Sequence, residues 1–144
     1  MTIKEAKGEK VKDSDDVAKI FYSILQSGEE LDKGKEHFWT MILNTKNVIT
    51  EIHLVSLGIL NGGIVHPREV FRPAVMKNGA NIIVSHNHPS GDVKPSEEDI
   101  KMTVKLRNAG EILGIKVLDH IIIGNNVDNE HYSFANRGLM GGAK

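Results

Sequence analysis

Residues Ser85 to Asp99 read SHNHPSGDVKPSEED, and three kinds of local structure meet within them. With the residues before it, the start of the stretch forms ANIIVSHNH, a run of apolar and β-branched residues that predicts a buried strand. Pro89 to Pro95 is dense in Pro, Gly, Ser and Asp, which predicts a loop. Ser96 then opens an S-x-x-D capping arrangement ahead of SEEDIKMTVKLRNAGEILG, a long amphipathic helix. Side chains alternate faces along a strand, so His86 and His88 share one face while Ser85 and Asn87 point the other way. The strand ends there, the chain leaves the core, and solvent can enter. Asp99, in the first turn of the helix, is aimed back toward the strand end. Two imidazole nitrogens and one carboxylate suffice for a three-ligand metal site with a fourth position for water.

Each piece also has a plainer explanation. Ser96 and Asp99 are accounted for by helix capping, HPSG by a turn, and a single histidine at a strand end by an ordinary hydrogen bond. Caps and turns do not, however, require two histidines on one face.

Working outward, SDDVAKIFYSILQSG predicts a first helix with Ser14 as N-cap, an apolar stripe of Val17, Ile20, Phe21, Ile24 and Leu25, and a stop at Gly28. A charged connector, EELDKGK, follows. EHFWTMILN and VITEIHLVSLG predict two strands joined at TKN as a hairpin. HPREVFRPAVMKNG predicts a helix with Pro67 in its first turn and a kink or break at Pro73. IKVLDHIIIG predicts another buried strand, NNVDNE a turn and HYSFA a short last strand. The spacing of the long helix predicts that Ile100, Val104 and Leu113 face the sheet. Helices and strands interleave around one hairpin, so the expected fold class is α/β (α+β), a mixed β-sheet flanked by helices. One domain is expected over 1–144, with its core at about 14–138 and with a flexible leader (1–12) and tail (139–144).

Composition narrows the function classes. Lys and Arg number 18 against 19 Asp and Glu, a net charge of −1, so no general electrostatic drive toward nucleic acid exists. Cysteine is absent, so any zinc site must be built from His, Asp or Glu. The polar N-terminus lacks the form of a secretory signal, and no apolar run is long enough to span a bilayer, which predicts a soluble, cytoplasmic protein.

The spacing H-x-H, seven residues, Ser, two residues, Asp is matched by His86, His88, Ser96 and Asp99. It resembles the signature of the JAMM (MPN or JAB) metalloproteases. HNHPSGDVKPSEEDI, HPREVF and DHIIIG resemble more closely the bacterial RadC branch, over roughly residues 14–138. The resemblance implies a three-layer, cytidine-deaminase-like architecture and one zinc ion on His86, His88 and Asp99. It implies hydrolysis of a peptide or isopeptide bond by metal-activated water, a protein or peptide substrate, and a family association with DNA repair. It also implies a glutamate base at the start of a strand after the first helix, the place of Glu36, with Glu51 and Glu69 as rivals. Ser96 would stabilise the oxyanion. RadC proteins commonly carry a helix-hairpin-helix DNA-binding segment ahead of this domain; the leader here is too short for one, so direct nucleic-acid binding is not expected. Three other readings stay open: a metal-dependent nuclease or phosphoesterase, an Fe(II) oxygenase on a two-histidine, one-carboxylate triad, and a non-catalytic protein-interaction scaffold. His120 reads as a strand residue with a local hydrogen bond or as a supporting partner of a ligand.

Overall fold

The computed structural model describes residues 1–28, 30–58, 65–124 and 130–140. In chain order the elements are α1 (Ile3–Ala6), α2 (Ser14–Gln26), α3 (Glu30–Lys33), β1 (Glu36–Leu43), β2 (Ile49–Gly58), α4 (Pro67–Met76), β3 (Asn81–Asn87), α5 (Glu97–Leu113), β4 (Lys116–Ile123) and β5 (Tyr132–Ser133). The strands form one mixed sheet in the order β2-β1-β3-β4-β5. β1 runs antiparallel to both β2 and β3, β3 is parallel to β4, and β5 returns antiparallel to β4. The parallel step is the crossover made by α5, the connection that parallel strands require.

Alternation along the central strands divides the core in two. Trp39, Met41 and Leu43 of β1, with Ile83, Ile121 and Ile123, pack against the stripe of α2. The Phe21 and Trp39 rings lie 5.1 Å apart there. Phe38 and Ile42, with Ile82, Val84 and Ile122, pack on the other face against Val70, Phe71 and Ala74 of α4 and Met102 and Leu106 of α5. Helices cover both faces, so β1, β3 and β4 are buried on both sides and read as nearly unbroken apolar runs. The architecture is the three-layer α/β arrangement with a mixed sheet.

Several expectations need correction. The N-cap of α2 is Asp13 rather than Ser14; its carboxylate accepts from the Asp16 amide at 2.9 Å. The 1–12 leader, expected to be flexible, is docked. Ala6 and Val11 are buried, Lys10 bridges to Val48, and the Gly8 amide donates to the Ile49 carbonyl at 2.8 Å. The leader therefore satisfies backbone groups at the free edge of β2 that would otherwise stand unpaired. In the tail, Leu139 is exposed while Met140 is buried; 141–144 lie outside the described residues. The turn expected at 125–130 lies outside them except for Glu130. Pro73 does not end α4, which continues to Met76.

The largest correction concerns α5. Its buried residues are Asp99, Met102, Thr103, Leu106 and Gly110, whereas Ile100, Val104 and Leu113 are exposed at 42%, 40% and 50%. The buried stripe holds an acid, a threonine and a glycine, so hydropathy alone selects the wrong face. Gly110 shows why packing chose this one: a Cβ there would collide with the Ile115 carbonyl and press on Phe71 and Val117.

Candidate metal centre

β3 sits at the centre of the sheet, and His86 lies on the same face as Ile82 and Val84, buried to 1% exposure. Its ring stacks on Phe38, the residue opposite it on β1, with centroids 5.9 Å apart and planes 12° from parallel. His88 follows just beyond the strand, its amide donating to the Ile123 carbonyl at 2.9 Å. Gly91, with φ +89, turns the loop, and its amide closes back on the His88 carbonyl at 2.9 Å. Ser96 is the N-cap of α5. The Asp99 amide donates to Ser96 Oγ at 3.1 Å and the Ser96 amide donates to Asp99 Oδ2 at 2.9 Å, a complete capping box. That box fixes the Asp99 carboxylate at the helix start, facing the strand end.

One ligand atom from each of His86, His88 and Asp99 lies within 4.8 Å of the other two. His86 Nε2 is 3.3 Å from Asp99 Oδ1, His88 Nε2 is 3.2 Å from Asp99 Oδ2, and the two Nε2 atoms are 3.0 Å apart. The outer nitrogen of His88 fixes its tautomer. Nδ1 faces the Asp92 carbonyl at 2.8 Å, and because a carbonyl only accepts, Nδ1 carries a hydrogen. The Nε2 lone pair of neutral His88 is therefore aimed at an anionic carboxylate and a second imidazole, an arrangement completed by a cation. Burial by itself would lower the His88 pKa. The hydrogen bonds to Asp99 and to the Asp92 carbonyl, with the charges of Asp99 and Glu36, outweigh it and raise it. Burial would raise the Asp99 pKa, yet the adjoining His86 and His88 imidazoles hold that carboxyl well below the usual carboxylate range. A proton shared by electron-rich groups marks a position a metal ion can also occupy. Two imidazoles and a carboxylate form a nitrogen–oxygen donor set of the kind catalytic zinc uses, and zinc fits these residues.

Glu36 opens β1. Phe38 pairs with His86 in antiparallel register, so two residues earlier Glu36 reaches the level of His88 on the same face. Its charge helps to raise the His88 pKa. Glu36 is not among the three clustered residues, and no described residue forms a hydrogen bond or ion pair with its carboxylate. The two other glutamates stand elsewhere. Glu51 pairs with Ile42, four residues from Phe38 and so roughly 13 Å along the strand, and meets Lys77 Nζ at 3.6 Å. Glu69 is exposed on the first turn of α4, 3.9 Å from Arg68 Nε.

Two groups support the cluster, and of these the sequence points only to His120. The Asn87 side chain, fully buried on the opposite face, accepts from the His37 amide at 2.6 Å and donates to the Lys35 carbonyl at 3.0 Å. It grips the backbone on either side of Glu36. Behind His86, Nδ1 lies 2.8 Å from His120 Nε2, and His120 Nδ1 lies 2.6 Å from Thr103 Oγ1. Burial holds the His120 pKa well below its ordinary value, and the neighbouring His86 charge pushes the same way. The buried Asp119 carboxyl accepts from Ser133 Oγ and the Ala135 and His120 amides and so fastens β5 and the residues after it to β4; burial nonetheless raises its pKa. Only the alternation of DHIII hinted that His120 faces this side.

Comparison with known proteins agrees with this geometry. Residues 11–139 match the model of a RadC-like JAB domain. Curated relatives, each named UPF0758 protein, include one from Desulforudis audaxviator, 56% identical over 92 residues (64% of this chain, 40% of that protein). One from Desulforamulus reducens is 50% identical over 117 residues (81% of this chain, 49% of that protein). One from Clostridium botulinum strain Hall is 52% identical over 106 residues (74% of this chain, 45% of that protein). The chain spans about half the length of the curated relatives it matches. Among the described residues no helix is long and apolar enough to cross a membrane. The strand–loop–helix that gathers His86, His88 and Asp99 thus sits inside a matched segment covering most of the sequence, and the chain belongs to the RadC family, as a RadC-like JAB domain.

Proposed function

We propose that this domain is a zinc-dependent hydrolase that cleaves peptide or isopeptide bonds in a protein or peptide substrate. The observation that carries the reading is the convergence of the His86, His88 and Asp99 ligand atoms, with Glu36 at the adjoining strand start and its carboxylate in no hydrogen bond or ion pair among the described residues. Bound zinc would supply Lewis acidity and lower the pKa of a coordinated water toward about 7. Glu36 stands near His88 without joining the ligand set, the position of a general base that takes a proton from the attacking water and returns it to the leaving amine. Ser96 uses its oxygen to accept the Asp99 amide, and no described residue accepts its own hydroxyl hydrogen. That hydrogen can be donated to an oxyanion developing beside the site. Phe38 and the buried face behind His86 keep water from the rear of the ligands.

The test uses zinc-loaded protein and a digest-derived peptide mixture, with new termini read by mass spectrometry. Wild type is expected to generate termini that Glu36→Gln generates at least about a hundredfold more slowly, while Glu36→Gln binds zinc as wild type does. His86→Ala should lose zinc and cleavage together, and Glu51→Gln and Glu69→Gln should cleave normally. Zinc-loaded wild type producing no termini beyond those of Glu36→Gln on peptide and isopeptide substrates would leave this domain a metal-binding scaffold. Full activity in Glu36→Gln would move the base elsewhere.

A further inference from the structure

Between the sheet and α5, a file of polar groups runs among apolar side chains. Thr103 and His120 are buried to 2% and 0% exposure. The His120 ring stacks on Phe134, with centroids 4.7 Å apart and planes 9° from parallel, and meets Phe38 edge-on. Such groups cost free energy unless each is satisfied, and their contacts run in a single file. Thr103 Oγ1 donates to the Asp99 carbonyl at 2.7 Å; Thr103 Oγ1 meets His120 Nδ1 at 2.6 Å; His120 Nε2 meets His86 Nδ1 at 2.8 Å.

The far end of the file fixes its direction. A carbonyl can only accept, so the single hydroxyl hydrogen of Thr103 is committed to Asp99. At its other contact Thr103 Oγ1 must accept, which puts a hydrogen on His120 Nδ1. No described carboxylate contacts the His120 ring, and a wholly buried imidazole without a counter-ion is neutral. Its Nε2 is then bare and must accept from His86, which puts the hydrogen of His86 on Nδ1. The opposite tautomer of His86 would set two lone pairs against each other behind the ring.

We propose that Thr103 and His120 are positioning residues that lock the His86 imidazole with its hydrogen on Nδ1, leaving Nε2 as the nitrogen that faces His88 and Asp99. The file begins on the backbone of Asp99 and ends on the ring of His86, so it ties together two residues of the cluster. His88 is set separately, through the Asp92 carbonyl. In relation to a metal ion this lock rests on the reading given under the proposed function, whereas the tautomer itself is a property of the metal-free protein.

The experiment measures both. Metal-free, nitrogen-15-labelled protein is examined by long-range proton–nitrogen correlation, the His86 signals being identified by their loss in His86→Gln. Zinc affinity is measured separately by competition with a chromophoric chelator. Wild type and Thr103→Ser should show His86 in the Nδ1–H form. Thr103→Val keeps the shape but accepts no hydrogen bond; His86 should then populate both tautomers, and zinc should bind about tenfold or more weakly, with Thr103→Ser close to wild type. Should Thr103→Val fail to fold, Thr103→Ala removes the same hydroxyl without crowding. His86 protonated on Nε2 in wild type overturns the proposal. An unchanged tautomer in a folded variant lacking the hydroxyl also overturns it, whatever happens to zinc affinity. Wild type showing the Nδ1–H form but binding no zinc supports the lock and refutes the metal reading instead.

Discussion

Asp99→Asn separates the charge of the cluster from its shape. The amide oxygen of asparagine can still accept from the Ser96 amide, so the helix cap survives in outline. What disappears is the negative charge beside two imidazoles, in a residue only 8% exposed. Removing one partner of a buried ion pair costs about 3–5 kcal/mol when the other stays charged. Here the loss is smaller, because the His88 side chain is 15% exposed and can shed its proton; about 2 kcal/mol is expected. For a domain of this size that corresponds to a Tm lower by roughly 4–8 °C. The raised His88 pKa contributes stability that is fully present below about 6.5 and is lost as pH rises through the folded value. The depressed Asp99 pKa contributes stability present above about 3.9 and lost as pH falls through its folded value. The gap between wild type and Asp99→Asn should therefore be widest between about pH 4 and 6.5 and narrow on either side. Thermal melts in chelator across that range measure it. With zinc at a hundred times its Kd, wild type should gain about 2.7 kcal/mol, and Asp99→Asn far less. A gap as large at about pH 9 as at about pH 6 would show that Asp99 acts through the cap alone, and the charge argument would be wrong.

Further outcomes follow from packing. Val104→Asp should change stability by no more than about 0.5 kcal/mol, since the side chain faces solvent; Leu106→Ala should cost about 2–5 kcal/mol, and denaturant titration of both variants compares them. Asn87→Ala should cost about 1–3 kcal/mol through the His37 amide and Lys35 carbonyl it leaves unpaired. Hydrogen exchange at the His37 amide should quicken before that of Met41, which lies further along β1; equal protection in variant and wild type would mean that Asn87 does not hold the strand start.

The parts of this fold that are legible in the sequence are those set by local rules. Alternation puts His86 and His88 on one face, and a Ser-x-x-Asp cap turns Asp99 toward them, so their meeting requires no knowledge of the rest of the chain. The hairpin is equally local: the Asn44 side chain accepts from the Lys46 and Val48 amides, and Asn47 takes φ +60. The face of α5 is not legible, because its buried stripe is chosen by a close approach at Gly110 and by polar groups that belong to the centre. The His86–His120–Thr103 file is hidden for a different reason. It depends on a parallel register placing His120 opposite Val84 and on a helix laid across both strands, and neither is encoded near the residues concerned. The docked leader is hidden because its value lies in the unpaired edge of β2, not in its own composition.

The stacking of Phe134 on His120 has a consequence for the order in which a ribosome delivers the molecule. A nascent chain released as far as Ile123 already holds His86, His88, Asp99, Thr103 and His120. It still lacks the aromatic ring that covers His120 and the amide of Phe134 that caps the His120 carbonyl at 3.1 Å. Until that later segment emerges, water can reach the ring behind His86, and the rear of the ligand cluster stays wet. In the emerging protein the rear of the cluster would therefore close only some time after His86, His88 and Asp99 themselves have left the tunnel.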